Sequence, residues 1–177
     1  DLRGRNINWT APIRDTGTRS PCSKTVEKDL ISMMDSHPTA DVIATLERDL
    51  RSSLRGDVHF DRMSCGLHAT DASHYQMMPV CVAVPRDEAD CIAAVTAAGL
   101  LGVPITPRGG ATSLSGQTFG HGLVLDVSKY MDQVLEVNAD ERWARVQPGV
   151  IRDLLNAQLA YSRRHFSPDP ATGNRAT

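Results

Sequence analysis

The sequence has few aromatic residues, almost no net charge and no long apolar run. Phe, Trp and Tyr make up 5% of the 177 residues, which argues against a protein that stacks the bases of single-stranded nucleic acid. The formal net charge of −2 provides no general attraction to nucleic acid or to anionic membranes. No apolar run approaches the ~18 residues of a membrane span, and no signal peptide is visible. We therefore predict a globular protein with no nucleic-acid partner and no integral membrane segment.

The four cysteines show no spacing typical of a metal site or a redox-active pair. Cys81 and Cys91 lie within apolar patterns and are predicted to be buried thiols. Free thiols favour a reducing compartment, so we predict a cytoplasmic protein, with peripheral attachment to the inner membrane as an alternative. The histidine separations fit no zinc motif, so structural or surface roles are predicted for His59, His68, His74 and His165.

A glycine-rich segment is the most informative part of the chain. Seven of the 13 glycines lie between Gly99 and Gly122, and a predicted strand at 103–106 leads directly into residues 107–117, PRGGATSLSGQ. We expect Gly109 and Gly110 to adopt positive φ and to bring backbone amides close to a ligand. Such amides form a concave nest for anionic oxygens, to which hydroxyl groups can add donors. The segment matches neither a P-loop nor a Rossmann loop. The predicted ligand is a phosphate or diphosphate; the alternative is a surface turn without a ligand.

Six segments in a fixed order together resemble one known family. PRGGATSLSGQ resembles the diphosphate loop for flavin adenine dinucleotide (FAD) in the p-cresol methylhydroxylase/vanillyl-alcohol oxidase superfamily. TDASHY at 70–75 and SPDPAT at 167–172 are similar to segments of its glycolate oxidase and D-lactate dehydrogenase branch. The strand at 80–86, LVLDVS at 123–128 and VQPGV at 146–150 resemble further segments of the superfamily. The resemblance covers residues 56–177.

This resemblance implies an FAD site and names its residues. The implied cofactor-binding residues are Pro107, Arg108, Gly109, Gly110, Ala111, Thr112, Ser113, Ser115, Gly116, Gln117, Pro148, Gly149, Val150, Asp169, Pro170, Thr172, Gly173, Ala176 and Thr177. Relatives with covalent flavin often carry a histidine directly after the glycine pair, so Ala111 implies a non-covalent flavin. By resemblance the catalytic residues lie downstream, so neither a catalytic residue nor a metal site is expected in this chain.

The implied activity is oxidation of a small 2-hydroxy acid, of the glycolate, D-lactate or D-2-hydroxyglutarate type, by hydride transfer to the flavin. An iron–sulfur centre is the implied electron acceptor. Two alternatives stay open: a non-catalytic nucleotide-binding or interaction module, and an NADPH-dependent flavin reductase of the same fold. Ala176 and Thr177 match the start of a longer flavin motif, so we expect a truncated, inactive piece of an enzyme that binds FAD weakly or not at all.

The order of predicted elements indicates a mixed α/β (α+β) fold of the superfamily's FAD-binding type. Residues 1–37 are predicted to be an irregular N-terminal extension, and residues 38–177 an FAD-binding domain truncated at its C-terminal end. A β-α-β unit, whose helix is capped by Asp87 and turns Ile92 and Val95 inward, forms the first subdomain. A hairpin at 134–146 and an amphipathic helix at about 150–160 begin a second, antiparallel subdomain; the inner side of this helix is predicted to carry Ile151, Leu154, Leu155 and Leu159.

Overall fold

The computed structural model describes residues 37–177. Cys22 and all but the last residue of the predicted N-terminal extension lie outside the described residues. Within the described part, no helix is both long and apolar enough to cross a membrane.

Residues 37–177 form four α-helices and six β-strands. The helices are α1 (Ala40–Ser53), α2 (Arg62–Leu67), α3 (Glu88–Leu100) and α4 (Arg152–Leu159), the last followed by a 3₁₀ turn (Ala160–Ser162). The strands are β1 (Asp57–His59), β2 (Cys81–Val84), β3 (Ile105–Arg108), β4 (Leu123–Asp126), β5 (Val134–Asn138) and β6 (Trp143–Val146). The predicted mixed α/β (α+β) organisation is confirmed.

Four strands form one sheet in the order β1-β2-β4-β3, and β5 pairs with β6 in a separate antiparallel hairpin. Strands β2, β4 and β3 run parallel, whereas β1 is antiparallel to β2. Neighbouring parallel strands end at the same edge of a sheet, and here Arg108 of β3 lies opposite Asp126 of β4. The segments that leave these two strands therefore meet at one place.

The main core lies between this sheet and the pair of helices α1 and α3. Leu46 and Leu50 of α1 are fully buried against Ala94 and Ala98 of α3 and against Leu123 of the sheet. All four residues of β2 are buried, because both faces of this central strand are covered. Complete burial of a leucine side chain contributes about 1.5–3 kcal/mol. The predicted burial of Cys81 is confirmed, and Cys91 is half-buried.

Helix α3 begins where predicted but presents a different face to the core. The Asp87 carboxylate accepts a hydrogen bond from the Asp90 amide at 3.1 Å, which confirms the predicted N-cap. The predicted inward orientation of Ile92 and Val95 is wrong, since they are 60% and 47% exposed. The buried side instead carries Asp90, Ala94 and Ala98. Because α3 is apolar around most of its circumference, periodicity does not distinguish its faces.

Two further details differ from prediction. The third strand starts at Ile105 rather than Val103, because the Val103 amide donates to the Ala98 carbonyl and closes the end of α3. In α4, Leu155 and Leu159 are buried as predicted, whereas Leu154 is 60% exposed and its predicted inward orientation is wrong. The buried side of α4 packs with Val150 and with Val134 of the hairpin.

Candidate cofactor site

A cavity of about 310 Å³, the smaller of two described below, lies where β3 and β4 end. We call it the smaller cavity. Its walls come from the end of α2, the two strand ends, the glycine-rich loop, the start of α4 and the C-terminal residues. The lining residues are His68, Arg108, Gly109, Gly110, Ala111, Asp126, Ser128, Gly149, Ile151, Arg175 and Thr177. Six of the residues predicted from the sequence thus share one cavity: Arg108, Gly109, Gly110, Ala111, Gly149 and Thr177.

Close packing, rather than positive φ, explains the glycine pair. Neither Gly109 nor Gly110 has positive φ, so that prediction is wrong. A Cβ on Gly109 would overlap the Thr177 hydroxyl, and one on Gly110 would overlap the Arg175 carbonyl. The left-handed conformation belongs instead to Ala111, at φ 55°. The turn thus lets residues 175–177 pass directly over the loop, which only glycine permits at these two positions.

The loop presents backbone amides that are largely free of protein acceptors. The Gly110 amide donates to the Thr177 hydroxyl at 3.4 Å. Among the residues that the structure describes, the amides of Gly109 and Ala111 have no hydrogen-bond acceptor. Unpaired amides next to a cavity form a ready site for anionic oxygens. The loop thus offers the amides of Gly109 and Ala111 beside the cavity, while the Gly110 amide is used within the protein.

The second half of the loop is organised by its own side chains. The Ser113 hydroxyl donates to the Gln117 side-chain oxygen at 2.9 Å and accepts from the Ser115 amide at 3.2 Å. Gly116 has φ 71°, and a Cβ there would press on the rings of Tyr75 and Phe119 at 3.1 Å. The remaining predicted loop residues do not line the smaller cavity: Pro107, Thr112, Ser113, Ser115, Gly116 and Gln117.

Arg108 links the loop to two other segments. Its Nη1 donates to the carbonyl oxygens of Thr70 at 2.8 Å, Thr118 at 3.2 Å and His68 at 3.4 Å. Burial lowers the pKa of the guanidinium, while Asp126 and Asp71 oppose that change. Arginine nevertheless remains charged at any physiological pH. Arg108 therefore adds positive charge to the cavity wall while its Nη1 holds the surrounding backbone.

The TDASHY segment packs on the loop through Asp71 and Ala72. The Ala72 amide donates to the Ala111 carbonyl at 3.1 Å. The Asp71 carboxylate accepts from the Ser73 amide at 2.8 Å and from the Thr118 hydroxyl at 3.2 Å. These bonds hold both sides of the loop and fix the position of Ala111.

His68 and Asp126 are site residues that sequence reasoning missed. His68 Nε2 lies 3.0 Å from the Asp126 carboxylate, and both side chains line the smaller cavity. The bond to Asp126 raises the pKa of His68, with burial opposing. Burial alone would raise the pKa of Asp126, but bonds from His68 and Ser128 outweigh it and lower that pKa. A carboxylate at the end of the buried strand LVLD was the available sequence signal.

The C-terminal segment is bound to the start of α4. The Arg152 amide donates to the Ala176 carbonyl at 2.9 Å, and the Asp153 amide donates to the Gly173 carbonyl at 3.1 Å. The Arg152 guanidinium forms an ion pair with Asp169 at 2.8 Å. The first amides of α4 are thus satisfied by the protein itself. Four predicted residues lie on this segment outside the smaller cavity: Asp169, Pro170, Thr172 and Gly173.

A larger cavity of about 800 Å³ lies between the hairpin, α4 and residues 163–166. Its apolar wall includes Trp143, Val150 and Leu155, and several arginines line it as well. Thr177 lines both cavities, so the two adjoin there. A volume in this range suits a small-molecule site. Of the predicted residues, Val150 and Thr177 line the larger cavity; Pro148 and Ala176 line neither.

Comparisons with known proteins agree with this geometry. The sequence model of one family, described as an FAD binding domain, matches residues 79–177. D-2-hydroxyglutarate dehydrogenase of Pseudomonas putida is 41% identical over 146 residues, which are 79% of this chain and 14% of that protein. Glycolate oxidase subunit GlcD of Bacillus subtilis is 35% identical over 136 residues, which are 72% of this chain and 28% of that protein. The chain thus spans only a minor part of the relatives' length.

Solved structures share the fold. The 4-ethylphenol oxidase from Gulosibacter chungangensis superposes with a TM-score of 0.62 at 22% identity, over 75% of this chain and 27% of that one. An alkyldihydroxyacetonephosphate synthase superposes with a TM-score of 0.65 at 21% identity, over 75% and 27%. For p-cresol methylhydroxylase the TM-score is 0.59 at 13% identity, and the superposition covers 71% of this chain and 26% of that one. The fold is therefore that of the flavoproteins to which the sequence segments are similar.

Proposed function

Because the chain belongs to the FAD-binding domain family, we propose that residues 37–177 bind the diphosphate of FAD in the smaller cavity. The observation that carries this proposal is that the amides of Gly109 and Ala111, near the carboxyl ends of parallel strands, have no acceptor within residues 37–177. Ligands of α/β sheets bind at such strand ends. Bound flavin would supply the redox chemistry, namely acceptance of a hydride from a substrate.

The charges in the cavity suit a diphosphate. Arg108 and Arg175 line it, and the half-buried position of Arg108 strengthens its interaction with an anion. The Gly149 amide is not available, because it donates to the Met131 carbonyl at 2.8 Å. Gly149 serves instead by having no side chain, since a Cβ there would press on the Val127 and Met131 carbonyls. Amides from the loop and positive charge from the arginines would thus hold the diphosphate together.

We propose that the flavin is held without a covalent bond. Ala111 offers no nucleophile at the position that directly follows the glycine pair. His68 lies in the same cavity, but both of its ring nitrogens already face protein oxygens. Within the described residues, neither cavity is lined by a cysteine. Among the described residues that line the smaller cavity, His68 is thus the one histidine, and its nitrogens are already engaged.

The proposed reaction is oxidation of a small 2-hydroxy acid by hydride transfer to the flavin. The names of two groups of relatives, D-2-hydroxyglutarate dehydrogenase and glycolate oxidase subunit GlcD, support this substrate class. The catalytic groups and an iron–sulfur electron acceptor would belong to parts of the enzyme that the matched region does not include. Residues 37–177 would contribute cofactor binding alone.

Calorimetric titration with FAD, ADP-ribose and riboflavin tests the proposed site. FAD and ADP-ribose contain the diphosphate, and riboflavin is the matched control that lacks it. We expect heat of binding for the first two only, with Kd weaker than about 1 μM because a cavity of 310 Å³ encloses only part of FAD. Acid precipitation should release all bound flavin into the supernatant. Equal affinity for riboflavin, or no binding of ADP-ribose, would contradict the diphosphate site.

A further inference from the structure

His68 and Asp126 form a largely enclosed pair, with side chains 19% and 14% exposed. Both ring nitrogens of His68 face oxygen acceptors. Nδ1 lies 2.9 Å from the Ser64 carbonyl, and Nε2 lies 3.0 Å from the Asp126 carboxylate. A neutral imidazole has only one N–H, so the doubly protonated ring alone donates to both oxygens. The geometry therefore favours the imidazolium form.

The charge of this pair bears directly on the smaller cavity. Helix α2 supplies the Ser64 carbonyl to His68, β4 supplies Asp126, β3 supplies Arg108, and the C-terminal turn supplies Arg175. Among the described side chains that line this cavity, Asp126 is the one carboxylate. When His68 is protonated, it neutralises Asp126 and leaves the two arginines in excess. When His68 is neutral, the Asp126 charge offsets one of the arginines and weakens their attraction for an anion.

We propose that protonated His68, held between Ser64 and Asp126, is a positioning and charge-setting residue of the diphosphate site. Through it the binding of an anionic diphosphate depends on pH. This inference rests on the proposed function, because it assumes that the smaller cavity receives the diphosphate. It adds two residues, His68 and Asp126, to those that determine cofactor affinity.

The direction of the pH effect follows from the environment of His68. The bond to Asp126 raises the pKa of His68 above its ordinary value of 6.5, with burial and Arg108 opposing. Below that raised pKa the ring is charged and the diphosphate binds more tightly; as pH rises through that pKa, affinity declines. By reciprocity, a bound diphosphate must raise the pKa of His68 further.

The first experiment compares the pH profiles of ADP-ribose binding between about pH 5 and about pH 9. A diphosphate diester is used because its own charge is constant over this range. For the wild-type chain we expect affinity to fall about tenfold as pH rises through the titration of His68. In His68→Gln this dependence should disappear. His59→Gln, which removes a histidine beside Asp61 but outside the cavity, should keep it.

The second experiment needs no substitution, so a poorly folded variant does not affect it. Titration of the His68 ring signal by NMR, without and with saturating ADP-ribose, should give a higher pKa in the complex. Binding with an unchanged His68 pKa, or a His68→Gln profile identical to that of wild type, would overturn the inference while leaving the diphosphate site intact. Absence of binding at every pH would overturn the proposed function and this inference with it.

Discussion

The Asp90 carboxylate accepts a hydrogen bond from the Gly56 amide at 2.9 Å, across 34 residues of chain. The same carboxylate accepts from the amides of Arg86 at 2.9 Å and Arg55 at 3.1 Å, and its residue is 2% exposed. Asp90 thus joins the start of α3 to the turn between α1 and β1. Glycine is required at position 56, because a Cβ there would overlap the Val84 carbonyl.

Substitution of Asp90 by asparagine should destabilise the fold by about 2–3 kcal/mol. An asparagine oxygen can still accept from the amides of Gly56 and Arg86. Its NH₂ group, however, would face the Arg55 amide, so two N–H donors would meet without an acceptor. Urea unfolding followed by circular dichroism measures the change. Asp140→Asn, in the exposed hairpin turn, is the control and should alter stability by less than about 0.5 kcal/mol. Equal effects of the two substitutions would refute the buried-carboxylate role.

The stabilisation of the fold by the Asp90 carboxylate should be lost at acid pH. Burial alone would raise its pKa, but the amide bonds from Arg86, Arg55 and Gly56 outweigh burial and lower the pKa below its ordinary 3.8. A carboxyl group with a lowered folded-state pKa stabilises the protein above its unfolded pKa and loses this effect as pH falls through the folded value. The difference in unfolding free energy between wild type and Asp90→Asn should therefore shrink below pH 3.8. A difference that stays constant down to the acid transition would contradict this assignment.

The sequence predicted local structure better than long-range pairs. The Asp87 cap, the hairpin and the glycine-rich loop depend on neighbouring residues, and local chemistry sufficed to place them. The pair of His68 and Asp126 spans 58 residues, and only the parallel arrangement of the strands brings it together. The reason for the glycine pair was also not visible in the sequence, because the segment that crosses Gly109 and Gly110 is more than 60 residues away.

Substitution of Gly110 by alanine should weaken diphosphate binding. The added methyl group would overlap the Arg175 carbonyl and displace residues 175–177 from the loop, although Gly110 itself has ordinary φ. We expect the Kd for ADP-ribose to rise at least about tenfold, or about 1.4 kcal/mol. Gly99→Ala is the matched control, since a Cβ there meets no atom within 4 Å. Gly99 lies in α3, so its replacement should stabilise the helix by up to about 1 kcal/mol without affecting binding.

Arg108→Lys should loosen the contact between the loop and TDASHY while the charge is kept. The carbonyl oxygens of Thr70, Thr118 and His68 all accept from Nη1, and the shorter lysine side chain does not bring its ammonium to the position of that nitrogen. Native-state hydrogen exchange of the Ala72 amide, which donates to Ala111, reports this contact. We expect exchange about tenfold faster, equal to about 1.4 kcal/mol of local stability. Arg62→Lys, at an exposed position of α2, should leave the rate unchanged.

Ala111→Gly should be neutral or stabilising, in contrast to the usual effect of glycine. Ala111 has φ 55°, a region in which an L-residue is strained by about 1–2 kcal/mol, and glycine removes that strain. This relief offsets the greater backbone entropy that glycine loses on folding. Ala157→Gly, in the exposed part of α4, lacks such relief and should destabilise by about 1 kcal/mol.

The midpoints of thermal unfolding of Ala111→Gly and Ala157→Gly should therefore move in opposite directions, or the first should not move. A loss of stability in Ala111→Gly as large as that in Ala157→Gly would mean that Ala111 is not strained. Diphosphate affinity should then be measured in the same variant. If the left-handed backbone at Ala111 holds the loop amides toward the cavity, glycine preserves that geometry at equilibrium, and the Kd for ADP-ribose should change by less than about threefold.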